Sequence, residues 1–258
     1  MKLLVTNDDG IDSLFLHELC AALQRAGHEI YVVAPATEQS WTGASKTRNR
    51  AVKSSAVDRH LGCPTWTADG TPSDCVNIAL GHLLPTKVDA VVSGINVGYN
   101  CSLAFIIASG TVAGAWEGAL HGLPALAVSQ DVSEEVYVHL KERGGVPDGQ
   151  LLETLKVSAE HAARLAGELL PATPPKSFTV HNVNFPFPCR RDTETKATVP
   201  AHFFMPGLFS PANDDGTHHL VWTAGEDVSP KEPLTDLACV AAQHISHSIL
   251  DYRKLGQV

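Results

Sequence analysis

Two apolar runs, Leu3-Leu4-Val5 and Glu29-Ile-Tyr-Val-Val-Ala34, constrain this chain more than any other feature. Between them Leu14, Phe15, Leu19, Ala22 and Leu23 recur at helical spacing. Asp12 or Ser13 suits the cap of that helix, and Gly27 suits its end. Strand, helix and strand within about 35 residues predict a parallel pair joined by a right-handed crossover. Further strands are expected at Val88–Val92, Pro124–Ser129 and Phe178–Val183, and helices after Asp69-Gly-Thr-Pro-Ser-Asp74, from Ser109, and over Leu151–Leu170, where Pro171 is the expected stop. In the first of these helices Thr71 is the expected N-cap, and Asp74 serves the first turn and the helix dipole. The fold class is therefore α/β with a mostly parallel sheet. A chain of 258 residues is long enough to bury one such core.

The boundaries expected are an α/β catalytic core over residues 1–190 and a C-terminal hairpin and arm over 191–258. Within the arm, Thr198 to Phe204 and His218 to Thr223 read as two extended segments turning at Asn213-Asp-Asp-Gly216. A short helix over Asp236–Ala242 and a last strand over Ile245–Leu250 follow. Residues 133–149 are charged and read as peripheral.

The first strand runs straight into Thr6-Asn-Asp-Asp-Gly10. In open α/β sheets ligands bind outside the carboxyl ends of the strands, so Asp8 and Asp9 stand where a site is expected. Two adjacent carboxylates repel, and burying them favours a compensating cation. Oxygen donors point to magnesium, manganese or calcium rather than zinc. The same tetrapeptide at residues 213–216 lies between extended segments and reads only as a turn, so the strand context carries the inference. Ser40, in the polar loop 36–50, and Asn96, in Ser93-Gly-Ile-Asn-Val-Gly98, are candidate neutral ligands from the same sheet edge. Ser109-Gly110-Thr111 at a helix start offers N–H groups and hydroxyls for a phosphate. An anion cradle facing a metal site suggests phosphoryl chemistry.

A net charge of −9 argues against nucleic-acid polymers and anionic membranes as general partners. With Met1 leading directly into a strand and no apolar run of transmembrane length, a cytoplasmic protein with six reduced cysteines is expected. The thirteen histidines form no ligand pattern and read as surface or subunit contacts. GxGxxG, GxxxxGK[ST] and GxSxG are absent.

Six segments together resemble the SurE-type (survival protein E) nucleotidases: residues 4–11, 33–40, 69–76, 91–98, 109–112 and 182–186, in family order over most of the chain. The resemblance implies a doubly wound, mostly parallel, Rossmann-like α/β core and a metal-dependent phosphomonoesterase acting on nucleoside 5′- and 3′-monophosphates. It implies one divalent ion, magnesium or manganese, held by Asp8, Asp9, Ser40 and Asn96, with Ser109, Gly110 and Thr111 on the phosphate side. Asp8 and Asp9 are the catalytic candidates, with metal-activated water as the attacking group. A homodimer or homotetramer built through the C-terminal arm is also implied. Two departures stand out. Ser102 occupies a family glycine position and is followed by an apolar run, Leu103 to Ala108. The run Gln243–Leu250 matches only loosely. Two other readings are carried forward: a metal-dependent nucleoside N-glycosidase, and a non-catalytic nucleotide-binding or assembly protein on the same scaffold.

Overall fold

The computed structural model describes residues 1–221 and 225–255. In chain order the elements are β1 (Lys2–Thr6), α1 (Leu14–Arg25), β2 (Glu29–Pro35), β3 (Ser54–Ala56), β4 (Thr65–Ala68) and α2 (Pro72–Ile78). There follow β5 (Ala90–Val97), α3 (Ser102–Ala108), α4 (Gly110–Leu120), β6 (Ala125–Gln130), α5 (Glu134–Glu142) and α6 (Gly149–Ala172). The chain continues through β7 (Thr179–Phe185), β8 (Thr195–Thr198), β9 (Phe203–Phe204), β10 (Glu226–Asp227), α7 (Asp236–Ala241) and β11 (Ile245–Asp251).

The main sheet has the order β3-β4-β2-β1-β5-β6-β7-β11-β8. From β4 to β7 every neighbouring pair is parallel, while β3 and β11 run antiparallel to their inner neighbours. The expected doubly wound α/β sheet is thus present. Alternation along β1 sorts the core into two layers. Leu3 and Val5 pack with Phe15, Leu16 and Leu19 of α1 and with Leu155 and Ala162 of α6. Leu4 faces the other way, with Tyr31 and Val33, onto Cys75, Val76 and Ala79. β1 lies between β2 and β5, so the chain order reverses there and a crevice opens at the strands' carboxyl ends.

Several boundaries differ from expectation. β5 does not stop at Val92 but continues to Val97 through an irregularity between Ser93 and Asn96, so Asn96 sits on a strand rather than in a loop. The apolar run after Asn100 forms α3, too short to show a helical period. Ser102, at the family's glycine position, keeps the left-handed backbone (φ +70) that glycine adopts without strain. Its N–H donates to Asp236 Oδ2 at 2.8 Å. Pro171 does not stop α6, which runs on to Ala172. The partner of β9 is β10, not the predicted segment at 218–223, although Phe209 bridges Leu220 around the turn at residues 213–216. The end of that predicted segment, Trp222 and Thr223, lies outside the described residues. The last strand β11 inserts into the main sheet between β7 and β8.

All six cysteines are free thiols. Among the described residues no single helix is long and apolar enough to cross a membrane.

Buried histidines, His161 of α6 and His181 of β7, which faces His247 on β11, contradict the surface assignment. His181 on β7 is 6% exposed, and its Nδ1 lies 2.9 Å from Nε2 of His247 on β11. Burial, and then the neighbouring imidazole, lowers His181 to about 4, and burial lowers His247 as well. The folded state therefore favours neutral rings, and stability is lost as pH falls below the unfolded value toward the folded one. For His181 alone this amounts to about 2 kcal/mol between pH 7 and 5. Urea unfolding at both pH values should show a smaller loss for H181Q/H247Q than for wild type; equal losses would contradict the assignment.

Candidate active site

Asp8 is buried where β1 ends, and Asp9 lies beside it, partly exposed in the crevice. Asn7 closes the turn by donating from Nδ2 to the carbonyl of Gly10 at 2.9 Å, and Gly10 takes φ +96. Three segments then converge on the pair. Gln39 N–H donates to the Asp8 carbonyl at 2.7 Å, bringing the loop that carries Ser40. Val97 N–H donates to Asp9 Oδ2 at 3.1 Å, bringing the end of β5 that carries Asn96. Thr111 donates from its hydroxyl to Asp8 Oδ1 at 2.5 Å, bringing the start of α4.

Glycine permits that last approach. A Cβ on Gly110 would lie 2.8 Å from Asp8 Cβ and 3.0 Å from the Gln39 carbonyl. Further along α4, Cβ atoms on Gly114 and Gly118 would strike Thr6 and Val91, so these glycines let the helix lie close against the sheet. Ser109 caps α4 by accepting from Val112 N–H at 3.0 Å. In the first turn the N–H groups of Gly110 and Thr111 have no intrahelical acceptor.

The electrostatics are those of two carboxylates confined together without a compensating charge. Burial pushes Asp8 up to about 6, with the Thr111 hydrogen bond pulling the other way. Burial and then the charge of Asp8 push Asp9 well above the usual carboxylate range. Among the described residues no lysine or arginine is ion-paired to either carboxylate; their partners are Thr111 and the Val97 N–H. Nor do three His, Cys, Asp or Glu side chains cluster to hold a metal there. The available donors are therefore two carboxylates and neutral oxygens, which suit a hard, oxygen-binding divalent ion. Asn96 commits Nδ2 to the Gly98 carbonyl at 2.6 Å, leaving Oδ1 as its ligand atom. Ser40 is exposed and donates to Glu38 Oε1 at 2.8 Å, so the lone pairs of its oxygen stay available. Asn7 Oδ1 is buried with no partner. The residues fit a divalent ion.

Asp74 has the structural role expected of it, and a further one. It completes a capping box with Thr71 and also accepts from Thr47 N–H at 3.2 Å, which fastens the loop 36–50. Lys46 adds an ion pair to buried Glu117 of α4 at 2.5 Å. Sequence reasoning missed Glu38 and Lys141, which pair at 3.2 Å on the rim and bear on Asp9. No sequence signal joins a loop acid to a lysine 103 residues away on α5.

Comparison with known proteins bears on the family and the fold. Residues 3–203 match the family described as Survival protein SurE. The chain is 33% identical over 252 residues to the 5′-nucleotidase SurE of Desulforudis audaxviator, covering 95% of this chain and 90% of that one. It is 35% identical over 236 residues to the 5′-nucleotidase SurE of Thermococcus gammatolerans, covering 92% and 84%. The crystal structure of the SurE protein from Aquifex aeolicus superposes with a TM-score of 0.72 at 27% identity, covering 100% of this chain and 98% of that one.

An uncompensated acidic pair predicts a trade between stability and function. In EDTA, Asp9→Asn should raise the melting temperature by about 2–6 °C, since asparagine can still accept from Val97 and removes a confined charge. A lower melting temperature would contradict the assignment.

Proposed function

We infer that this chain, which belongs to the survival protein SurE family, is a 5′-nucleotidase that releases phosphate from nucleoside 5′-monophosphates, and from 3′-monophosphates as well. The observation that carries the site assignment is the convergence of the Asp8–Asp9 pair, the Ser40 and Asn96 segments and the start of α4 on one crevice. Asp8, Asp9, Ser40 and Asn96 would hold one divalent ion, magnesium or manganese. Bound there, such an ion would supply positive charge for the phosphate oxygens and would make water a better nucleophile.

The chain's own residues do the rest. Asp8 and Asp9 concentrate negative charge at the floor of the crevice, and Thr111 orients Asp8 by donating to Oδ1. Gly110 lets the start of α4 come close against Asp8, and the first-turn N–H groups of α4 donate to a phosphate's non-bridging oxygens as charge builds on them. Ser109 has its oxygen engaged by Val112, so its hydroxyl proton is the part left for the substrate. The loop 36–50, tied to α2 and α4, holds Ser40 at the edge of this arrangement.

A homo-oligomer formed through the C-terminal excursion belongs to the same reading. The support is chemical: Phe204, Phe209 and Leu220 are 68%, 67% and 59% exposed on it, large apolar surfaces that a second copy would cover.

Phosphate release from AMP, GMP, deoxynucleoside monophosphates and 3′-AMP tests the activity. EDTA should abolish it, added magnesium or manganese should restore it, and Asp9→Ala should lower kcat/KM by at least about 100-fold. Release of free base without phosphate, or activity indifferent to EDTA and to Asp9→Ala, would overturn the proposal.

A further inference from the structure

Trp41 follows the candidate ligand Ser40 directly and has φ +62. A bulky side chain in the left-handed region is sterically disfavoured, whereas glycine would sit there freely. Burial does not offset that strain, because Trp41 remains 44% exposed. Instead the indole meets Phe105 of α3 edge-to-face, with ring centroids 5.7 Å apart and an interplanar angle of 62°. Phe105 is 8% exposed and is itself packed against Tyr99 at 5.4 Å and Phe203 at 6.1 Å. A well-supported aromatic base thus carries a half-exposed indole.

The location gives this arrangement its meaning. Trp41 is adjacent to Ser40, Tyr99 is three residues beyond Asn96, and Phe105 lies one helical turn before Ser109. Gly43 N–H donates to the Ala108 carbonyl at 2.9 Å, fastening the Trp41 loop to the junction of α3 and α4. The cluster therefore stands beside the crevice at the point where three site-bearing segments meet. An exposed ring beside a phosphate site suits a flat heteroaromatic group attached to that phosphate through a sugar. Stacking is tolerant of base identity, because every base has a π-face.

We propose that Trp41, braced by Phe105, is the face on which the substrate's nucleobase stacks, and so a specificity-determining residue for nucleotides over other phosphate esters. The inference rests on the nucleotidase reading above. It predicts acceptance of all bases, with purines preferred for their larger area.

The test compares kcat/KM for AMP with that for glycerol 2-phosphate, which carries no ring, in wild type, Trp41→Ala and Trp41→Phe. The AMP to glycerol 2-phosphate ratio should fall about 5- to 20-fold in W41A and recover to within about 3-fold of wild type in W41F. An unchanged ratio overturns the inference, because a residue that only shapes the loop would slow both substrates together. Fluorescence gives a second readout that does not need turnover. AMP should quench part of the emission of wild type, glycerol 2-phosphate should not, and W41F, with its other three tryptophans, should lose that quenching. Should wild type release no phosphate from AMP, the nucleotidase reading fails on that result. The stacking inference is then decided by fluorescence alone, and absence of AMP quenching in wild type overturns it.

Discussion

Two neighbouring carboxylates at the end of β1, satisfied by a hydroxyl and backbone N–H groups and, among the described residues, by no paired cation, are the interaction on which the site depends. Left alone, they disfavour the folded state, because burial and mutual repulsion raise both. The surrounding structure nevertheless confines them. β1 is buried from Leu3 to Thr6 and runs between two parallel neighbours, which fixes where Asp8 and Asp9 emerge. Three glycines on α4 allow the helix to close over them. A fold that tolerates such a cost at the carboxyl edge of its sheet has there the charge and the oxygen donors that a cation would satisfy.

The second requirement is that a long polar loop be held still. Residues 36–50 contain no regular element, yet both ends and the middle are fastened. Gln39 bonds to Asp8, Gly43 to Ala108, Thr47 to Asp74, and Ser45 accepts from Thr71. Lys46 reaches buried Glu117, which also accepts from Asn77 at 2.9 Å. The same helices that pack on the sheet therefore position Ser40 and Trp41, and core packing is transmitted to the site through these few bonds.

Much of this was legible in the sequence, for physical reasons that vary along the chain. The βαβ unit, the Thr71 cap and the strand ending in Asp8-Asp9 are local patterns, and each appears where its pattern predicts. Asn96 was found through its segment but misplaced in a loop, because Ser93-Gly-Ile-Asn carries turn residues that β5 accommodates with an irregularity. α3 escaped because the six apolar residues after Ser102 give no periodicity. Pro171 sits within the last turn of α6 instead of ending it beforehand. The contacts of His181 with His247, and of Glu38 with Lys141, depend on strand order and helix placement that only the folded chain supplies. Trp41 was legible as a residue and not as a feature, since its backbone conformation is invisible in sequence.

The central claim is that the crevice is a divalent-cation site whose core is Asp8 and Asp9. Manganese binding to the EDTA-stripped protein, followed by loss of the free-ion electron paramagnetic resonance signal, tests it without reference to turnover. The account predicts saturable binding of one ion per chain in wild type, and its loss in Asp9→Ala at the same protein concentration. Absence of saturable binding in wild type, or undiminished binding in Asp9→Ala, would contradict it.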